Sequence, residues 1–423
     1  MKRRICRPRC TKVYTVHKEG KYKAVIQNLL FFRYKVMKIY IYTFGCKINQ
    51  YESQLIREKY CLQNYEYVDN FEQADVIIVN SCSVTAHADK QCDQIIKKFY
   101  TKNPSAKIIL TGCYANVSRS KILEKFPFLE IREKSFFLSD IKQRIKTFDN
   151  HSRAFVKIQD GCNSFCSYCI VPYARNKMWS KPVDEIIDEI KNLLSMGYSE
   201  IVLTGIHIGK YDKGISYLLS QIYKNIKDPF RIRLSSIEVN EITDELIDIM
   251  KNESERFCCH LHIPLQSASD KVLKDMNRKY LSKDFLDKIS LLKKTFPDIA
   301  LTTDVICGFP TETNKDFDVT YKFLKDNGFA RLHVFPFSAR QGTPAYSLKP
   351  VYKNGELKTR TDKLLELSKE LEQKYFNRFL NTERKAVSLR GNKALTDNYL
   401  TIEKVERQNG IFDVKVISSK EKK

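Results

Sequence analysis

The stretch Gly161-Cys-Asn-Ser-Phe-Cys-Ser-Tyr-Cys-Ile170 decides how this chain is read. Cys162, Cys166 and Cys169 follow a C-x3-C-x2-C spacing that puts three thiols on one short loop. Iron–sulfur cubanes ordinarily take four cysteines, so a set of three suggests a cubane whose fourth iron is left for a small molecule. A Cys3His zinc site, with His151 or a distant histidine as fourth ligand, is the alternative. No second two-cysteine knuckle lies nearby to favour it. Thirteen cysteines in 423 residues, without a secretory signal, read as intracellular thiols or metal ligands rather than disulfides.

Composition sets the frame around this loop. A length of 423 residues allows two or three domains. Hydrophobic residues at 43% and charged residues at 29% are ordinary for a soluble globular protein. There is no run of about 18 apolar residues to cross a bilayer. The formal charge of +23, from 73 Lys and Arg against 50 Asp and Glu, favours a polyanionic partner, with nucleic acid first. Nearly half of that excess lies in residues 1–37, where eleven Lys and Arg face Glu19 alone. Met37 is followed at once by Lys-Ile-Tyr-Ile-Tyr-Thr43, an alternating strand of the kind that opens an α/β domain. Translation is therefore expected to begin at Met37, with residues 1–36 a disordered extension or an over-extended gene start. A transit peptide is the rival, since the segment is Arg-rich and acid-poor. Cys6 and Cys10 lie inside it and are given no metal role.

From 38 to 149 strand and helix alternate: Lys38–Thr43, an amphipathic stretch Tyr51–Leu62, Val76–Asn80, a helix around Ala88–Tyr100, and Lys107–Thr111. That rhythm predicts an open parallel sheet. Cys46, Cys82 and Cys113 each fall two or three residues past a strand end. Loops beyond the carboxyl ends of parallel strands share one edge, where ligands bind, so these three distant cysteines are expected to meet. Cys61, Cys92, Cys258, Cys259 and Cys307 follow no such rule and read as ordinary core or surface thiols.

Residues 150–350 repeat apolar strands at Ala154–Gln159, Glu200–Thr204, Arg231–Ser235, His260–Leu265, Leu301–Ile306 and Arg331–Phe337, with helices such as Val183–Met196 and Asp316–Asp326 between them. Six βα units make a partial barrel, whose chemistry belongs at the C-terminal rim. Thr204, Gly205, Ser235, Glu238 and Gln266 sit at strand ends there, and the loop of Cys162 follows the first strand. They are candidate cofactor contacts, with plain strand-end turns as the other reading. Residues 351–380 read as a linker and amphipathic helix carrying Leu364, Leu367 and Leu371. Residues 381–423 read as short strands with ten basic and six acidic side chains, a phosphate-binding or simply solvated face.

Several strings together resemble the methylthiotransferases, a radical S-adenosylmethionine family. They are Thr43-Phe-Gly-Cys-Lys-Ile-Asn-Gln-Tyr-Glu-Ser53, Asn80-Ser-Cys-Ser-Val-Thr85, Thr111-Gly-Cys-Tyr-Ala115, the Cys162 loop with the aromatic Tyr168 before its last cysteine, Leu203-Thr-Gly-Ile-His-Ile-Gly209, His262-Ile-Pro-Leu-Gln-Ser267, Asp304-Val-Ile-Cys-Gly-Phe-Pro310 and Phe335-Pro-Phe-Ser-Ala-Arg-Gln-Gly-Thr-Pro344. The resemblance covers roughly residues 38–417. It implies that Cys162, Cys166 and Cys169 hold a 4Fe-4S cluster completed by the amino and carboxylate groups of S-adenosylmethionine. It implies that Cys46, Cys82 and Cys113 hold a second, auxiliary 4Fe-4S cluster that presents sulfur for methylation and delivery. Tyr168, Thr204, Gly205, Ser235, Glu238 and Gln266 become cofactor-binding candidates, and the C-terminal region, through Leu395-Thr-Asp-Asn-Tyr399, resembles a short TRAM-like RNA-binding barrel.

Gly45-Cys-Lys-Ile-Asn-Gln-Tyr-Glu52 resembles the branch that modifies N6-threonylcarbamoyladenosine in transfer RNA. The other branches usually carry Gly-Cys-Gln-Met-Asn, for isopentenyladenosine, or Gly-Cys-Pro-Lys-Asn, for a ribosomal-protein aspartate, so Lys47 sets the choice. Departures from the family pattern are Asn176, Ala268 and Thr311 in place of glycine, Lys181 in place of arginine and Val239 in place of proline. The resemblance further implies the anticodon stem-loop as partner, an electron donor such as a flavodoxin or ferredoxin, no membrane, a monomer, and a cytoplasmic location. A non-catalytic zinc-containing RNA-binding protein is the reading of a different class. For the natural protein, intact-mass measurement is expected to give a chain starting at Met37; abundant peptides from residues 1–36 would contradict that.

Overall fold

A computed structural model describes residues 36–138, 144–148, 153–353 and 355–417. The expectations for the basic extension, with Cys6 and Cys10, and for His151 as a zinc ligand fall outside the described residues.

The first sheet contains β1 (Lys38–Thr43), β2 (Glu66–Tyr67), β3 (Val76–Ser81), β4 (Lys107–Gly112) and β5 (Glu130–Ile131), all parallel, in the order β2-β1-β3-β4-β5. Alternate residues of a strand face opposite sides, and both sides are apolar here. Ile77, Val79, Ile108 and Leu110 pack under the helix Ala86–Lys102 with Cys92, Ile96 and Phe99. Ile39, Ile78 and Ile109 face the other way and join a second core that continues through Tyr51 and Leu55 into the central domain. Thr85 starts the helix Ala86–Lys102 by accepting a hydrogen bond from the Ala88 amide at 3.2 Å.

The central domain is built from β6 (Arg153–Lys157), the small antiparallel ribbon of β7 (Gln159–Asp160) and β8 (Trp179–Ser180), β9 (Glu200–Thr204), β10 (Arg231–Leu234), β11 (His260–His262), β12 (Ala300–Cys307) and β13 (Arg331–Pro336). β6, β9 and β10 pair in parallel, as do β11, β12 and β13. Bridges from Ile232 to Phe257 and from Ser236 to His262 join the two triplets into the expected six-stranded partial barrel. β11 stops at His262, short of Leu265, whose amide donates to the Thr303 hydroxyl instead of a strand carbonyl. The helix Glu356–Asn377 then packs Leu364, Leu367 and Leu371 into the barrel core.

An antiparallel sheet ends the described chain, with β14 (Glu383–Leu389), β15 (Lys393–Thr396), β16 (Thr401–Glu403) and β17 (Phe412–Lys415) in the order β16-β15-β14-β17. β15 is too short for its alternation to stand out in the sequence. Its turn closes the bottom of the barrel: Arg231 donates to the carbonyls of Lys385 and Leu395 at 2.9 and 3.0 Å, and Arg233 to that of Thr396 at 2.9 Å. Both guanidinium groups share the buried Glu200 carboxylate, and Tyr399 stacks on His260 with ring centroids 4.0 Å apart. The Leu395–Tyr399 segment is therefore a docking turn. On the sheet's outer face, Lys385 and Lys393 are paired with Asp413 and Glu403.

The first two domains are joined by buried charge. Glu52, with none of its surface exposed, meets Arg175 through both guanidinium nitrogens at 3.0 Å, Lys157 at 2.9 Å, and Lys134. Asp160 completes the knot, accepting from Lys157 at 2.6 Å and Arg175 at 2.8 Å. Burial alone would raise the Glu52 pKa, but Arg175, Lys134 and Lys157 hold it well below the usual carboxylate range. Its stabilising effect is thus complete above the unfolded pKa of about 4.3 and fades as pH falls through the lower folded value. A second buried set lies alongside, in which Lys181 reaches Glu189 at 2.7 Å and the Tyr51 hydroxyl at 2.9 Å. Glu52→Ala strands several buried cations and is expected to cost about 3–5 kcal/mol. Glu403→Ala, at an exposed pair with Lys393, should shift stability far less, because solvent screens such a pair. Denaturant midpoints for the two variants measure this; equal shifts would contradict it.

Candidate metal centres and the cavity between them

Cys46, Cys82 and Cys113 follow β1, β3 and β4 at one edge of the first sheet, the convergence expected from the alternating pattern. Cys46 caps the N-terminus of the helix Lys47–Leu62, and Cys113 opens the short helix Cys113–Val117. Two glycines make this close approach possible. Gly45 has φ +84°, and a Cβ there would lie 2.7 Å from the Cys82 sulfur. Gly112 has φ +99°, and a Cβ there would lie 2.3 Å from the Ser81 carbonyl oxygen. Asn49 ties the loops together, donating to the carbonyls of Phe44 at 2.8 Å and Ser81 at 3.0 Å. Burial, with Cys113 and Cys46 nearby, pushes the Cys82 thiol up to about 11.

The second triad sits on the loop after β7. Ser167 anchors that loop by donating from its amide to the Met276 carbonyl at 3.0 Å and from its hydroxyl to the Asp275 carbonyl at 2.7 Å. Phe165 is held at φ +46°, an uncommon conformation for a bulky residue. Cys166 receives Arg278 at 3.4 Å, while Cys162 lies 3.6 Å from His207 Nδ1. His207 Nε2 in turn meets Glu241 at 2.6 Å. Although burial opposes it, the contacts with Cys162 and Glu241 raise the His207 pKa to about 9. Burial, reinforced by Cys166 and Cys162, pushes Cys169 up to about 12.

The triads lie on elements that touch. Arg175, at the end of the short helix Val171–Ala174 that follows Cys169, donates to Cys113 at 3.4 Å while holding Glu52. Asn116, one turn after Cys113, donates to the Ala174 carbonyl at 3.1 Å. From the far side of the barrel, Arg340 donates to Ser83, next to Cys82, at 2.8 Å. A cavity of about 160 Å³ lies against the second triad, walled by Tyr168 and Cys169 and, from the loop that follows Cys82, by Val84 and Thr85. Gln266, Asp304, Ile306, Phe335 and Phe337 also line it.

Of the candidate cofactor contacts, Tyr168 and Gln266 face this cavity. Gln266 has φ +65° and is woven into the β12 edge through its backbone bonds with Asp304 and Ile306. Ser235 is buried, and its hydroxyl has no hydrogen-bond partner among the described residues. Thr204 is buried at the end of β9, and Gly205 passes so near Gln159 that a Cβ would come within 3.1 Å of it. Glu238 is engaged by Arg278, the same arginine that reaches Cys166.

The donor set fits iron–sulfur cubanes better than zinc. A tetrahedral zinc with bonds of about 2.3 Å would draw its sulfurs to about 3.8 Å of one another, whereas neither triad has all three sulfurs within 4.8 Å. Thiolates bound to separate irons of one cluster stand farther apart. Crowded thiols with raised pKa values also need a cationic partner to be held as thiolates. Sequence reasoning missed the residues around the cysteines: Asn49, Glu52, Arg175, His207, Glu241 and Arg278. Asn49, Glu52 and His207 lie inside strings already noted, yet nothing in a single sequence says which distant charge each one meets.

Residues 38–132 match the uncharacterized protein family UPF0004, and residues 156–324 match the Radical SAM superfamily. The chain is 39% identical to the threonylcarbamoyladenosine tRNA methylthiotransferase MtaB of Bacillus subtilis, over 80% of this chain and 82% of that protein. It is 37% identical to the protein of the same name from Thermotoga maritima, over 82% and 86%. A tRNA-2-methylthio-N(6)-dimethylallyladenosine synthase from Thermodesulfovibrio yellowstonii is 35% identical, over 73% and 78%. In fold, the chain resembles the radical S-adenosylmethionine methyltransferase TsrM from Kitasatospora setae, with a TM-score of 0.56 at 10% identity over 78% of this chain and 85% of that one. The chain belongs to the radical S-adenosylmethionine methylthiotransferases, in the branch of the threonylcarbamoyladenosine tRNA methylthiotransferases.

Proposed function

We propose that this chain adds a methylthio group to N6-threonylcarbamoyladenosine of transfer RNA, with Cys162, Cys166 and Cys169 holding one 4Fe-4S cluster and Cys46, Cys82 and Cys113 the other. The observation that carries this reading is the cavity walled by Cys169 and by Val84 and Thr85, from the loop that follows Cys82. When bound, the clusters and S-adenosylmethionine supply a hydrogen-abstracting radical, the sulfur and the methyl group.

The chain's own residues position these partners. Arg278 braces Cys166 and Glu238 at once, fixing the wall on which the cofactor would lie. Ser235 offers a hydroxyl that no described group satisfies, a natural contact for a polar cofactor atom. Phe335 and Phe337 give apolar faces against which an unpaired base can stack. Arg175 and Arg340 keep the two domains closed around the cavity, which limits water at the reacting carbon. An anticodon loop suits such a cavity because its bases are already unpaired and splay out at modest cost. The anticodon stem-loop as the contacted part, a flavodoxin or ferredoxin as electron donor, a monomeric state and a cytoplasmic location belong to the same proposal. The surplus of Lys and Arg agrees with an RNA partner.

Anaerobic reconstitution should load about eight irons per chain. Replacing Cys46, Cys82 and Cys113 together by Ala should leave about four, as should replacing the other triad, while Cys92→Ser and Cys307→Ser leave the content unchanged. Full loading after loss of a triad would refute the ligand assignment. Nucleoside mass spectrometry of transfer RNA from cells with and without the gene tests the substrate. Loss of the 2-methylthio derivative of threonylcarbamoyladenosine is expected, and unchanged nucleosides would favour a protein substrate instead.

A further inference from the structure

The barrel interior holds more positive charge than its own carboxylates match. Arg153, Arg231 and Arg233 all converge on Glu200, at 3.3, 2.6 and 2.9 Å. Asp304 is taken by two histidines, with His262 Nε2 at 3.2 Å and His333 Nδ1 at 3.3 Å from the same oxygen. Toward these groups the first domain brings Lys47, from the first turn of the helix Lys47–Leu62. Its ammonium is partly buried and close enough to Arg153, Arg233, His260 and Asp304 for electrostatic interaction. Among the described residues it makes no hydrogen bond and no ion pair. A half-buried ammonium beside two guanidinium groups, whose acidic neighbours Cys46 and Asp304 make no ion pair with it, is costly unless a ligand brings an anion. Asp304 also lines the cavity beside Cys169, so this one carboxylate relates Lys47 to the place where the base would sit.

We infer that Lys47 binds the threonyl carboxylate of the substrate and so selects an anionic N6 substituent over an apolar one. This rests on the substrate reading given above. The threonylcarbamoyl group carries one carboxylate, whereas a dimethylallyl group carries none, so a free cation in a cationic interior separates the two. A lysine that merely extends to solvent is the competing account, and it makes no distinction between charged and neutral substituents.

The test compares binding of three anticodon stem-loop RNAs by the reconstituted full chain: one with N6-threonylcarbamoyladenosine, one with its methyl ester, and one with plain adenosine. The wild type should bind the acid about tenfold or more tighter than the ester. Lys47→Met should erase that gap, and Lys47→Arg should keep most of it, both at wild-type iron content. A gap retained in Lys47→Met overturns the inference while leaving the substrate reading standing. Equal binding of the acid and plain adenosine by the wild type overturns the substrate reading, and this inference with it. A gap lost together with iron would assign the lysine to the neighbouring metal centre and also overturn it.

Discussion

The buried carboxylate of Glu52 is the interaction on which the rest depends. It sits on the helix that begins at Cys46 and draws in Arg175 and Lys157 from the central domain, so that one side chain sets the spacing of two domains. Arg175 then touches Cys113 directly. A buried carboxylate with a single partner would gain little from the arrangement, because desolvation cancels much of the attraction. With several cations around it and Asp160 balancing them, Glu52 stays ionised, and the geometry it imposes is specific. Two sites that must act on the same nucleobase need that kind of fixed separation, which apolar packing alone specifies less sharply.

Charge also organises the lower half of the barrel. Glu200 collects arginines from β6 and β10, and two of these, Arg231 and Arg233, reach on to the carbonyls of the C-terminal domain. The last sheet thereby closes the barrel from below, while the first domain closes it from the side. Phe335, on the cavity wall, is exposed to solvent.

Much of this was legible in the sequence because it depends on local spacing. The parallel sheets follow from the alternation of apolar strands with helical stretches, and strand-end cysteines in such a sheet must share an edge. What depends on distant pairing was not legible. Asn49, Tyr51 and Glu52 stood in a noted string, but their burial against Arg175, Lys181 and Glu189 is a property of the assembled domains. Lys181, a departure from the family pattern, turns out to fill the same role of a buried cation, with Glu189 as its partner. β15 escaped notice because four residues are too few to show a period, and Leu395–Tyr399 serves barrel closure, which no local pattern reveals.

The central claim is that two iron–sulfur centres face each other across one small cavity. Electron paramagnetic resonance of the reduced, fully loaded chain tests it most directly, set against the summed spectra of the two variants that each lack one cysteine triad. Centres separated by no more than a nucleobase should couple, so the spectrum of the loaded chain should be broadened and relax faster than the sum. A spectrum equal to that sum would place the centres in separate pockets and contradict the account.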